Sequence, residues 1–587
     1  MHAVESQNGS LPETHRNLLK PMKSGINKSP DSAMRRCQDH QQLVASKHEG
    51  VMSEHINQCA ARVTIRAEFV VAALISFLAV VLHVVFLTHA GGLWRDESGG
   101  VGLATVPGFV EMCRWLTHDS FPGLFPMVLR GWSFIGFGSS DFGLRVLGLL
   151  IGFSLLGVFW WNARVFGCRT PLISLGLLAV NPAVIRWGDS LRAYGLGCIL
   201  TLLFVGCVWR LIQSTTIWRY VFTSLIGLLS VQCLYQNAFL VGATCVGASV
   251  VCLRRGRIRS AWVALASGLP AAISLIPYVR PLKNSQQWWV VEKTGFKADI
   301  VWGTLSEAIG TPLILGPVIW IFLLLGTCVV GFAALEKHVS RRTDISADLP
   351  LFGGIAATGG VIGFFVFVAS AGLPTQPWYW LPLMTFVVVC AEGAFRQLLP
   401  RLGRWALAIV GTIVFLSLLT AWNEVKCRMT NIDQLADHVR KNGSPNDLII
   451  VYPWYCGVSF NRHYKGQTPW VTVPELEDHR FHRYDLLKVR LGGVEKIRPM
   501  LDRIKRTLSS GNKVWFVGGF PSPLPQEPGE PTGWYDEPYN YYWGRQMAEY
   551  VQTIAGSLDL VSLPTGNYTR YENLPLFVAV GFRGSSF

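Results

Sequence analysis

Three ionisable side chains stand together in the stretch Gly91-Gly92-Leu93-Trp94-Arg95-Asp96-Glu97-Ser98-Gly99-Gly100. Asp96 and Glu97 are neighbours in sequence, so on a helix or a strand they point in different directions and do not duplicate each other. A second polar group follows at His118-Asp119-Ser120-Phe121-Pro122-Gly123-Leu124. A third is Arg186-Trp187-Gly188-Asp189-Ser190-Leu191-Arg192-Ala193-Tyr194, and a fourth holds Arg280, Lys283, Trp288, Trp289, Lys293 and Lys297. Carboxylates of this kind could activate a hydroxyl, Arg and Lys could hold a phosphate, and Trp could stack on a sugar ring or an isoprenoid.

The rest of the chain has to position these groups. Of its 587 residues half are apolar and 15% are charged, against about 25% charge in a soluble protein. Long apolar runs recur from Phe69 to Thr420, the pattern of a multi-spanning α-helical membrane protein. About eleven spans are expected, at residues 66–90, 143–166, 170–185, 191–213, 220–235, 238–253, 261–279, 312–335, 349–372, 378–395 and 405–422. With the N-terminus in the cytoplasm, every cytoplasmic loop carries arginine, from Arg164 and Arg169 to Arg396, Arg401 and Arg404, as the positive-inside rule requires. The net charge of +15 therefore reflects topology. No basic stripe interleaved with aromatics marks a nucleic-acid reader, and nucleic acid is not an expected partner.

The same alternation puts residues 91–142, 186–190, 280–311 and everything after Trp422 outside. Loop 91–142 is too long for a connector and is expected to carry helices along the membrane surface. Three regions follow: a disordered cytoplasmic tail (1–61), a transmembrane domain (62–422) with the chemistry in its first outer loop, and an extracytoplasmic α/β domain (423–587). In the last, residues 448–452, 514–517 and 577–580 read as short buried strands, and 432–441, 495–508 and 541–555 have helical spacing. No phosphate-cradling glycine motif opens any of its helices. The 13 cysteines lack metal-ligand spacing; Cys427 and Cys456 could pair if this region faces an oxidising compartment.

Each candidate residue has a plainer alternative. Asp189 could face the site or cap the helix starting near Leu191. A charge such as Arg192 costs about 2.5–3.5 kcal/mol at mid-membrane and less near the interface, which favours phosphate contact over snorkelling. Tyr194 could assist it or be an interfacial aromatic. His118 and Asp119 could meet an acceptor or a metal, or cap their loop. Arg280 and Lys283 could hold substrate or bind lipid headgroups. The aromatics Trp534, Tyr535, Tyr539, Tyr541, Tyr542 and Trp543 could grip a glycan, with core packing the simpler expectation.

Location narrows the donor. Nucleotide sugars are cytoplasmic, and a glycosyl donor used on the outer face has to be carried by a lipid phosphate. The order Trp94-Arg95-Asp96-Glu97 after the first span, then His118 to Trp132, Asn181-Pro182, and Asp189 to Tyr194 resembles the membrane GT-C glycosyltransferases. Within them it is similar to the protein O-mannosyltransferase/aminoarabinose-transferase type. The likeness is specific over about residues 91–200 and looser to about 400. It implies that Asp96 is the catalytic general base, with Glu97 orienting substrates or a metal. Where the family has a His-Pro-Pro-Leu-like segment this chain has His118-Asp119-Ser120-Phe121-Pro122-Gly123-Leu124, and its late span opens on Gln376-Pro377-Trp378-Tyr379-Trp380 rather than Arg-Tyr.

The expected activity is that of an inverting glycosyltransferase of the cell (cytoplasmic/inner) membrane. It would move a sugar from a polyprenyl-phosphate donor to an acceptor hydroxyl on a lipid, glycan or protein at the outer face, among membrane lipids. A divalent cation is the one candidate cofactor. Rival readings are a transporter, whose charges would sit at mid-membrane, a sensor with an outer ligand-binding domain, and a polymerase or ligase acting on lipid-linked glycans.

Overall fold

The computed structural model describes residues 63–279, 296–310, 315–336, 347–372, 374–491, 494–519, 536–561 and 571–583. The expected tail (1–61), Arg280, Lys283, Trp288, Trp289, Lys293, Trp534 and Tyr535 lie outside the described residues. All eleven apolar segments are largely helical where described. Eight helices among the described residues are long and apolar enough to cross a membrane: Val63–His89, Asp141–Phe166, Ala193–Gln213, Asn237–Arg254, Ile258–Tyr278, Leu315–Leu335, Asp348–Ala371 and Arg404–Val425. The chain is a multi-pass helical membrane protein. Ala193–Gln213 is largely enclosed by its neighbours, whereas Leu315–Leu335 turns most of its surface outward, as a lipid-facing helix does.

The other three segments are shorter or broken. Segment 170–185 becomes Leu172–Ser174, a π-turn at Leu175–Ala179 and a new helix Pro182–Gly188. Asn181 starts that helix, its side-chain oxygen accepting the Val184 N–H at 3.0 Å, and Pro182 supplies a first-turn φ. Segment 220–235 is Ile217–Cys233, with 17 residues. Segment 378–395 opens as a 3-10 turn, Pro377–Trp380, before the 14-residue helix Leu381–Ala394. At 1.5 Å per residue that helix spans about 21 Å, short of a hydrocarbon core of about 30 Å. Every residue of it is buried, so neighbouring helices replace lipid as its apolar environment.

The first loop carries three short helices, Arg95–Ala104, Phe109–Trp115 and Leu124–Trp132, the last running into a π-turn at Ser133–Phe137. Phe134, Ile135 and Phe137 point outward, which suits a segment dipping into a membrane surface.

After Trp422 the chain builds a five-stranded sheet from β1 (Leu448–Val451), β2 (Trp470–Thr472), β3 (Val514–Val517), β4 (Ala555–Leu560) and β5 (Leu576–Phe582), in the order β2-β1-β3-β5-β4. β2, β1 and β3 are parallel, while β5 runs antiparallel to β3 and β4. Alternate residues of β1 and β3 enter cores on opposite faces. Leu448, Ile450, Val514 and Phe516 pack with Ile504, Leu508, Trp543 and Val551; Ile449, Val451, Trp515 and Val517 pack with Leu435, Val439 and Phe460. Tyr539 and Trp543 are therefore core residues, as the simpler expectation held. Cys427 and Cys456 are free thiols, so the pairing considered for them is not formed.

The sheet region packs directly on the first loop. The Met429 N–H donates to Ala90 O at 2.8 Å, a His463 ring nitrogen bonds Leu93 O at 3.0 Å, and Arg462 Nη2 reaches Asp141 Oδ1 at 2.6 Å. This contact accounts for two of the loop's glycines. Gly91 has φ +70° with the Arg428 guanidinium against it, and a Cβ at Gly102 would collide with the carbonyl oxygen of Arg480.

Candidate functional site

The acidic pair lies in the first turn of helix Arg95–Ala104, where negative charge complements the positive end of the helix dipole. Glu97 accepts the Trp94 N–H at 3.3 Å, which satisfies one N-terminal donor. Its other partners are the Leu191 N–H at 3.0 Å, Arg145 Nη1 at 3.2 Å and Arg145 Nη2 at 3.1 Å. Glu97 is fully buried and Arg145 nearly so. Arg145 also donates to Gly91 O at 2.9 Å and Gly92 O at 2.6 Å. This fork-to-carboxylate pair fastens the loop to helix Asp141–Phe166 and to the chain entering helix Ala193–Gln213.

One residue back, Asp96 points elsewhere and keeps 24% of its side chain exposed. Arg95 Nε stands 3.5 Å from its Oδ1. Arg192 Nη1 donates to the Asp96 main-chain oxygen at 3.0 Å, and Arg192 Nη2 lies 3.4 Å from Asp119 Oδ1. The Arg192 guanidinium stacks 4.4 Å from the Phe121 ring centre, whose edge meets Tyr194 at 5.2 Å. Tyr194 and Tyr379 are 6.1 Å apart, both within electrostatic reach of Asp96 and Arg192.

The charges separate the two acids that share Arg192. Burial alone would raise the Asp96 pKa, but Arg192, then Arg95 and His482, outweigh it and hold the carboxyl below its ordinary value of 3.8. For Asp119 burial prevails over Arg192, and the pKa is raised. His482 comes from the sheet region, stacked 5.9 Å from Tyr484. Burial lowers its pKa to about 4 despite Asp96, which leaves a neutral imidazole beside a carboxylate at neutral pH. A fourth acid lies behind the helix start. Glu572, fully enclosed, accepts the Arg95 N–H at 3.1 Å and the Ser459 hydroxyl, and burial pushes its pKa up to about 7.

The residues expected from sequence thus divide. Asp96, Asp119, Arg192 and Tyr194 come together. His118, although adjacent to Asp119, lies between Trp115 and Phe481 with Nε2 3.8 Å from Asp485 Oδ1. Asp189 turns into the bundle, where its Oδ2 is 2.7 Å from His83 Nδ1 and both side chains are buried. The helix after it begins at Ala193 with Arg192 at its cap position, which overturns the capping alternative for Asp189. The residues that sequence reasoning missed are Arg145, His482 and Glu572. Arg145 did leave a signal, a charge inside an apolar run; the other two lie far along the chain with no local motif.

Behind the site, Trp94, Trp187, Trp378 and Tyr571 form an aromatic cluster with ring centres between 4.3 and 6.3 Å apart. All but Tyr571 are almost fully buried, which makes the cluster a wall rather than a stacking platform. Among the described residues no three His, Cys, Asp or Glu side chains gather as metal ligands. Glu97 is spent on Arg145 and Asp119 faces Arg192, whereas Arg192 meets Asp96 through its main-chain oxygen.

Comparison with solved structures finds helical membrane proteins. The chain resembles an archaeal oligosaccharyltransferase. Against the Archaeoglobus fulgidus enzyme in complex with Zn and sulfate the TM-score is 0.45 at 11% identity, covering 85% of this chain and 73% of that one. Against the apo form it is 0.42 at 10% identity, covering 88% and 74%. No protein-family model matches the sequence, and no curated protein matches it.

Proposed function

We propose that this chain is an inverting glycosyltransferase that moves a sugar from a polyprenyl-phosphate donor to an acceptor hydroxyl at the outer face of a membrane. The observation that carries the reading is Asp96 itself. It is ionised and partly open, it stands on a short helix at the rim of an apolar bundle, and Arg192, Arg95, His482 and two tyrosines surround it. In the proposed step Asp96 takes the proton of the acceptor hydroxyl. The oxygen forms a bond to the anomeric carbon from the face opposite the donor phosphate. The carbon–oxygen bond to phosphate breaks with its electron pair, releasing lipid phosphate and inverting the sugar.

Asp96 as catalytic base fits its place better than Glu97 does, because both Glu97 oxygens are occupied and buried. Glu97 is accordingly a positioning residue that sets the direction of the helix. Asp119, Arg192 and Tyr194 are the substrate-contacting candidates, with His482 added from the sheet region. His118 and Asp189 fit structural roles, one at the seam with the sheet region and the other in the bundle. Transfer of labelled sugar from a purified polyprenyl-phosphate donor tests the proposal, with solute uptake into vesicles as the transporter control. Uptake without transfer would reject it.

A further inference from the structure

At the end of the bundle away from Asp96 a cleft opens between helix termini, lined by Trp209, Gln213, Arg255, Arg257, Arg396 and Gln397. Arg192 caps one end of helix Ala193–Gln213, and Gln213 closes it 21 residues later. At 1.5 Å per residue that is about 32 Å, roughly the thickness of a bilayer's hydrocarbon core. Cleft and acidic site therefore belong to opposite leaflets and cannot share one ligand.

Among the described residues the arginines outnumber the acids that meet them. Asp348 Oδ2 accepts from Arg255 Nε at 2.7 Å and also from Arg255 Nη2, while Asp348 Oδ1 is 3.9 Å from Arg254 Nη1. The two terminal nitrogens of buried Arg254 have no hydrogen-bond partner among the described residues. Glu392, one turn before Arg396, faces inward and accepts the Ser174 N–H and hydroxyl. One carboxylate thus serves Arg254 and Arg255, while Arg257 and Arg396 stay exposed. Beside them Ile258 and Leu398 expose apolar surface. Guanidinium forks next to apolar surface at headgroup depth match a phosphate that carries acyl chains.

We propose that this cleft binds the phosphate of an anionic phospholipid from the leaflet opposite Asp96. Arg255, held in place by Asp348, and the open Arg257 and Arg396 donate to the phosphate oxygens, and Trp209 walls the cleft. A free phosphate ion offers the same oxygens, so the test separates the two sources. Full-length protein, delipidated in neutral detergent, is titrated with phosphatidylglycerol or phosphatidylcholine and the bound lipid is read by native mass spectrometry, with inorganic phosphate as competitor. Phosphatidylglycerol should bind preferentially, and the double variant Arg257→Gln/Arg396→Gln should weaken it by about tenfold or more, as loss of charge-assisted hydrogen bonds implies. Arg401→Gln, a basic change nearby but outside the cleft, should leave binding unchanged. Equal retention by the double variant, equal binding of phosphatidylcholine, or displacement of the lipid by millimolar inorganic phosphate would each overturn the proposal. The readout is binding, so it stands or falls independently of glycosyl transfer.

Discussion

Arg192 grips the main chain of Asp96, its Nη1 donating to the Asp96 carbonyl oxygen at 3.0 Å, while its other terminal nitrogen turns to Asp119. One planar fork fixes the helix that carries the proposed base and, further along the same loop, Asp119. Lysine keeps the charge but loses the fork. Arg192→Lys is expected to lower kcat by about 10–100-fold through misplacement of the base. The thermal midpoint should change little, because Arg192 is not the residue neutralising Glu97. An Arg192→Lys enzyme with unchanged kcat would show that the fork is dispensable.

Glu572 predicts a pH effect on stability. Burial raises its folded pKa to about 7, from an ordinary 4.5. Between those values the unfolded carboxyl has lost its proton while the folded one keeps it. The unfolded state then binds fewer protons, and stability falls as pH rises through that window. The full effect is on the order of 3 kcal/mol. His482, whose lowered pKa of about 4 acts in the opposite sense, is common to parent and variant, so the melting temperature of the parent relative to Glu572→Gln should fall between about pH 5 and about pH 8. A parent-minus-variant difference that stayed constant or rose over this range would contradict the assignment.

What the sequence revealed followed from how each feature is buried. Spans were legible because lipid accepts only backbone that satisfies its own hydrogen bonds, so the apolar runs had to be helices. Leu381–Ala394 read as a span although it is short, because a helix buried on all sides by protein is as apolar as one in lipid. β1 and β3 stood out as four-residue apolar runs buried on both faces. β2 is only three residues long, and β4 carries Gly556, Ser557 and Asp559 with much of its surface exposed; neither has a period to read. Asp96 showed as a charge beside an apolar run. His482 and Glu572 reach the site only through docking of the sheet region, a long-range contact that no local pattern encodes.

The Glu97–Arg145 pair predicts an outcome opposite in kind to that of its neighbour. Glu97→Gln would leave the Arg145 guanidinium buried at 3% exposure without its counter-charge, a loss of about 3–5 kcal/mol. Folded yield and thermal midpoint should drop sharply. Adding Arg145→Met should cost less than the two single changes together, because the stranded charge is gone. Full additivity would mean that the pair is not coupled.

Asp96→Asn isolates the chemistry. The carboxylate is partly exposed and its shape is kept, so the variant should insert and melt like the parent. Losing a general base should lower transfer by about 10²–10⁴-fold. The pH profile adds a second check, best taken in a Glu572→Gln background so that the titration of Glu572 near pH 7 does not intrude. Asp96 works only when ionised, and its pKa lies below 3.8, so the acid limb it sets should fall below that value with a plateau towards neutrality. Removing the leading opposing charge with Arg192→Gln should move the limb to higher pH. If Asp96→Asn retained near-parental transfer, or if the limb stayed put when Arg192 lost its charge, a different group would have to accept the proton.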